Sequence, residues 1–153
     1  MIYIDRVTNP AETQDIIPML PLESNEARQF FGQQLAQVMT HRPETVLVVV
    51  ARSDDKGLVG FVIAELAQLE VVNLRQAWVS PKVSWDVATE LNARVRLWAV
   101  GHGRSKIEVR TTRNSEAMYR RFGFEETAKI LTQTLPEDFT QTLINSTKEV
   151  SSV

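Results

Sequence analysis

The chain has 153 residues, 43% of them hydrophobic and 24% charged, with a net charge of −2 and no cysteine. That is the composition of one ordinary globular domain, long enough to bury a core without staples. It excludes disulfide and thiolate chemistry, and the slightly acidic balance lacks the basic footprint of a general nucleic-acid binder.

In chain order, "MIYIDRV" alternates apolar and polar residues and predicts a first strand. Its surroundings hold no apolar run of the length a signal peptide needs. No other segment approaches the roughly 20 apolar residues of a membrane helix. The expectation is a cytoplasmic or intracellular protein without membrane contact. "NPAETQDIIPML" offers a cap, a proline near a helix start and a short apolar face, so a first helix is predicted. "SNEARQFFGQQLAQVMTH" predicts a second, with Phe31, Leu35, Val38 and Met39 on one stripe.

"TVLVVVAR" is a continuous β-branched run, the pattern of a strand buried on both faces. "SDDKG" is turn chemistry, and "LVGFVIAEL" follows as the return strand of a hairpin. "LEVVNLRQAWVS" is a further strand, ended by Pro81. The longest predicted helix is "SWDVATELNARVRLWAVGHG", where Val87, Leu91, Val95 and Trp98 recur every three to four residues and Gly101 and Gly103 supply the stop. A strand "KIEVRTT", a short helix "NSEAMYRRF" and a last strand "FEETAKILTQTL" complete the order. The expected domain is 1–135, and 136–153 is a polar tail that needs a surface to lie on. The fold class is α/β, with about six strands and about four helices, and the late strand–helix–strand unit is expected to be a right-handed crossover.

The order and three stretches resemble the GNAT superfamily, the acetyl-CoA-dependent N-acetyltransferases, over roughly residues 3–135. The hairpin "VVVARSDDKGLVGFVIAEL", with Gly60, is similar to the family's second and third strands. "RQAWVSP" is similar to the end of its central strand, and "IEVRTTRNSEAMYRRFGF" to its late signature of strand, Asn, short helix, Tyr and Gly-Phe. The resemblance implies a GNAT-like mixed central sheet flanked by helices. It also implies that Asn114 helps to orient the cofactor arm, and that Tyr119 stands near the thioester sulfur as a candidate acid for the departing thiolate. Such an acid must reach the leaving group with its hydroxyl. Val79, Ser84, Trp85 and Asn114 fall at cofactor-contacting positions, and Glu65 or Glu70 at places for a base. Each residue also has an ordinary structural role open to it. Asn114 suits a helix N-cap, Tyr119 can cover core with its ring, and Glu65 and Glu70 can be exposed strand-end carboxylates.

One signature of the family is missing. Between the central strand and the long helix the family carries Gln/Arg-x-x-Gly-x-Gly/Ala, a loop whose backbone N–H groups cradle the CoA pyrophosphate at a helix start. The corresponding stretch here is "PKVSWDVATEL", without glycine or arginine. Ser84 is placed to cap the helix itself, and Trp85 puts a large ring where a small residue is expected. Asp86 in the first turn stabilises a bare helix by roughly 0.3–1 kcal/mol and opposes a phosphate there. Two readings follow. One is a non-catalytic GNAT-like module without cofactor, acting through a protein partner or self-assembly, as GNAT-like structural components of phage virions do. The other is an acetyl-CoA-dependent N-acetyltransferase with an altered cofactor loop. Nucleic acid is not an expected partner. Two distant histidines, His41 and His102, make no metal cluster.

Overall fold

The computed structural model describes residues 1–111, 113–128 and 130–135. They fall into two units, Met1–Gly123 and the described residues from Phe124 onward. The first unit is an α/β domain around a five-stranded sheet in the order β1-β2-β3-β4-β5. Its strands are β1 (Ile2–Arg6), β2 (Val46–Ser53), β3 (Gly57–Leu66), β4 (Val71–Val79) and β5 (Lys106–Val109). β1 to β4 pair antiparallel in sequence, and β5 joins β4 in parallel after the crossover helix α2 (Trp85–Gly101). Helix α1 (Asn25–His41) lies on the other face, and α3 (Arg113–Arg121) follows β5.

The sequence explains the layering. All of Val46–Ala51 is buried, because β2 sends side chains to both faces. Leu47, Val49 and Ala51 meet Val87, Leu91, Val95 and Trp98 of α2. Val46, Val48 and Val50 meet Leu35 and Met39 of α1. Gly60 in β3 is needed for the close approach of α2: a methyl group there would stand 3.2 Å from both Leu91 Cδ1 and the carbonyl oxygen of Trp78. α1 is capped by Ser24, whose hydroxyl accepts from the N–H of Ala27 at 3.1 Å.

Three local expectations change. "NPAETQDIIPML" forms two short 3-10 turns, Pro10–Thr13 and Ile17–Met19, instead of a helix. Pro18 has no N–H to continue a helical ladder and closes the first turn's possible extension. "FEETAKILTQTL" carries no strand among its described residues; alternation supplies only a pattern, and a ladder needs a partner. α3 begins at Arg113, so the backbone of Asn114 stands inside its first turn rather than ahead of it. Gly123 ends that helix with φ +88°, the left-handed conformation expected of a glycine stop. The expected tail, 136–153, lies outside the described residues.

Candidate functional site

β4 and β5 stay together only from Val71↔Lys106 to Leu74↔Val109. Beyond Leu74 the ladder stops and β4 continues alone, which leaves a wedge along that edge; the next residue of β4 is a bulge. Ala64 pairs with Leu74 and Ile63 with Gln76, which leaves Arg75 without a partner opposite it. The bulge resets the strand. Val72 and Leu74 face the α2 side of the sheet before it, and Ala77 and Val79 face that side after it. Arg75 instead reaches the α1 side, where its Nη1 donates to Glu65 Oε2 at 2.9 Å and its guanidinium stands 5.9 Å from the centre of the Phe31 ring.

Hydrogen-bond parity then shows what the wedge offers. The N–H of Ser80 donates to the carbonyl of Val59 at 2.8 Å, so Ser80, Trp78 and Gln76 spend their backbone groups on β3. Ala77 and Val79 point theirs the other way, toward the side on which β4 continues beyond the end of its ladder with β5. No strand of the described residues pairs with that edge. Val79, expected at a cofactor-contacting position, therefore stands on a wall of the wedge with its polar backbone turned inward.

The start of α2 stands at the end of this wall and is closed. Ser84 Oγ accepts from the N–H of Asp86 at 3.2 Å, and the Ser84 carbonyl accepts from the N–H of Val87 at 3.1 Å. Just before it, the N–H of Lys82 donates to Ser80 Oγ at 3.2 Å and that of Val83 to the Ser80 carbonyl at 3.3 Å. Several donors that a phosphate would use at a glycine-rich helix start already have acceptors within the segment. Asp86 adds negative charge in the first turn.

Trp85 completes the closure. Its ring stacks on Phe122 with centroids 5.1 Å apart and planes 9° from parallel, and the Arg121 guanidinium lies 4.1 Å from the ring centre. The end of α3 is thereby fastened to the start of α2. Trp85 is still 38% exposed, so the ring lies at the surface with its faces partly occupied. Sequence reasoning marked Trp85 but not Phe122 and Arg121 as its partners. The residues are far apart in the chain, and neither shows from its neighbours which ring it will meet.

Tyr119, on the turn of α3 before Phe122, packs half-buried against the core cluster beneath α2. Burial pushes its phenol above the usual tyrosine range. The hydroxyl stays protonated at neutral pH, which is the form an acid requires. Asn114 belongs to the same helix; its side chain lies outside the described part of the structure.

Glu70 stands elsewhere. It precedes β4 at the end where β4 and β5 are joined, and its carboxylate meets Lys106 Nζ at 3.1 Å and Ser105 Oγ at 3.1 Å. Hydrogen bonds from Lys106 and then Ser105 hold its carboxyl below the usual glutamate range. Such a group is a poor proton acceptor at the opposite end of the strand from the wedge. Glu65 is tied to Arg75 on the α1 face, beside a half-open cavity of about 470 Å³ lined also by Phe31, Gln34, Val38 and His41. No group of metal-binding residues exists among the described residues, and none of their helices is long and apolar enough to cross a membrane.

No family model and no curated protein matches the chain. Solved structures do. An aminoglycoside 6'-N-acetyltransferase from Acinetobacter baumannii superposes with a TM-score of 0.70 at 18% identity, over 89% of this chain and 99% of that one. The enzyme AAC(6')-Iy, solved with a bisubstrate analogue of CoA and acetylneamine, gives 0.66 at 20% identity over the same shares. Glucosamine-6-phosphate N-acetyltransferase from Arabidopsis thaliana gives 0.64 at 9%, again over 89% and 99%. The chain has the GNAT acetyltransferase fold.

Proposed function

We propose that this chain is an acetyltransferase-like module that works through protein contacts and does not use acetyl-CoA. The observation that carries the reading is the closed start of α2. Ser84 caps the helix, Asp86 charges its first turn, and Trp85 is stacked on Phe122 where a glycine-rich loop would have left room. The residues present do not fit a pyrophosphate, so no catalytic step is assigned to them. The surface left to such a module is protein-binding, toward a partner or a second copy.

A second reading, acetyl-CoA-dependent N-acyl transfer, is favoured by the other half of the same wedge. Ala77 and Val79 keep a bare backbone edge there, Tyr119 keeps a protonated phenol, and the similar structures include acetyltransferases solved with CoA or its analogue. A calorimetric titration with acetyl-CoA separates the two. The expected result is no binding in the micromolar range. A dissociation constant below about 10 µM, some 7 kcal/mol of binding, overturns the non-catalytic reading and reinstates the second.

A further inference from the structure

Neither reading of the wedge uses the half-open cavity on the α1 face. Its volume of about 470 Å³ is within the range of small-molecule sites. Val46, which begins β2, pairs with Glu65, and Glu65 pairs with Asn73 near the start of β4. The cavity therefore lies toward the end of the sheet away from Val79 and the start of α2. Its floor is apolar: Leu35, Val46 and Ile63 line it and are 7%, 6% and 1% exposed. Phe31 and Val38, half-buried on the same helix, add a ring and a branched wall.

The rim carries charge. Arg75 is there because the bulge in β4 leaves it on the α1 side, with its guanidinium 5.9 Å from the centre of the Phe31 ring. Its Nη1 donates to Glu65 Oε2 at 2.9 Å, and no described residue accepts from its remaining N–H groups. Arg42, the C-cap of α1, also lines the cavity, and its side chain has no hydrogen bond or ion pair among the described residues. Two guanidiniums against one carboxylate give this rim a net positive charge. The excess is small. Glu65 offsets one cation, and the last carbonyls of α1, which ends at His41, add negative partial charge. Such a rim suits one negative charge better than the two of a phosphate monoester.

We propose that this cavity binds a small monocarboxylate with a compact apolar body, aromatic or branched. The body lies on Leu35, Val46 and Ile63 beside the Phe31 ring. The carboxylate accepts from Arg42 and from the N–H groups of Arg75 that Glu65 leaves unused, a pairing that the planar fork of a guanidinium favours. An ammonium on the same body meets two like charges, and a neutral alcohol gains no charge-assisted bond. This inference is independent of whether the wedge takes acyl-CoA.

The test uses the full chain labelled with nitrogen-15 and titrated with phenylacetate, with phenethylamine and 2-phenylethanol as the cationic and neutral controls. Phenylacetate is expected to give saturable amide shifts confined to the second half of α1 and to the neighbourhood of Val46, Ile63 and Arg75. A dissociation constant on the order of 1 mM is expected for so small a probe. Both controls are expected to bind at least roughly tenfold more weakly. Arg42→Gln is expected to weaken phenylacetate by about tenfold while the rest of the spectrum stays in place. Should that variant disturb the fold, Arg75→Gln carries the test with the same expected direction. Shifts that never saturate, or that scatter over the surface, overturn the proposal. So does equal binding of phenethylamine, or phenylacetate binding that neither Arg42→Gln nor Arg75→Gln weakens.

Discussion

Past its bulge at Arg75, β4 runs on beyond the end of β5 and turns the backbone of Ala77 and Val79 toward an edge that no strand of the described residues pairs with. At the far end of the short connection Ser80–Ser84, α2 begins with a capped, negatively charged turn whose tryptophan stacks on Phe122, just past the end of α3. The first region keeps what the fold imposes on it, and the second depends on the residues placed there. The open edge arises because β5 ends at Val109 while β4 continues to Val79. An anion cradle needs free N–H groups and room beside them, which single residues supply or remove. Similarity to acetyltransferases in backbone trace therefore speaks to the fold and leaves the chemistry of either region to its own residues.

The sharpest way to break the closed region is at Gly123. Its φ of +88° ends α3 directly after Phe122, whose ring covers Trp85. A Cβ at this position meets nothing within 4 Å, so the effect of substitution is backbone strain and not crowding. Gly123→Val forces a β-branched residue into the left-handed region, and the expected loss is about 1–3 kcal/mol. Thermal unfolding measures it. An unchanged midpoint means that the end of α3 can be remade without cost and that the Trp85–Phe122 stack does not depend on it.

Trp85→Ala is the next largest. It removes the stacked pair and the guanidinium contact at a site that is 38% exposed, for an expected loss of about 1–2 kcal/mol. Its use is in what does not change. Ser84 still caps α2 and Asp86 still charges its first turn, so affinity for acetyl-CoA is expected to remain unmeasurable in the micromolar range. If calorimetry finds tight binding in this variant alone, the ring was the whole of the closure, and the cap and the carboxylate were incidental.

Much of this molecule was legible in its sequence because its decisive signals are local. The run Val46–Ala51 could only be a strand covered on both faces, and Gly123 could only be a left-handed stop. The missing glycines after Pro81 were visible as a gap in a pattern. What escaped were features set by distance. Arg75 gives no sign that it is a bulge, since the residues around it alternate acceptably either way. Trp85 finds Phe122 and Arg121 only after β5 and α3 have been placed. The first predicted helix failed for a readable reason, Pro18, whose missing N–H outweighed the apolar spacing around it. The residues thought to hold a base were legible as carboxylates but not as ion pairs, because Lys106 and Arg75 reach Glu70 and Glu65 only across the sheet.

The smallest expected effect lies at Tyr119. It packs against the core beneath α2 while belonging to the helix that covers Trp85. Tyr119→Phe keeps the ring and removes the hydroxyl, so its stability cost at neutral pH is expected to be about 0.5–1.5 kcal/mol, that of one hydrogen-bonding group. The pH dependence has a definite sign. Burial raises the phenol above its ordinary value in the folded chain, so the unfolded chain loses its proton first. The stability that Tyr119 contributes is therefore complete below the unfolded tyrosine range, and it is lost as pH rises through the folded value. The wild type should weaken more steeply than Tyr119→Phe in this alkaline window, and the two should run parallel at neutral and acidic pH. Denaturant unfolding across that range reads the difference. If acetylation of an amine by this protein is found and Tyr119→Phe reduces its rate by orders of magnitude while the neutral-pH stability holds, the phenol works in the open wedge as an acid. The closed helix start would then be a different way of meeting acyl-CoA.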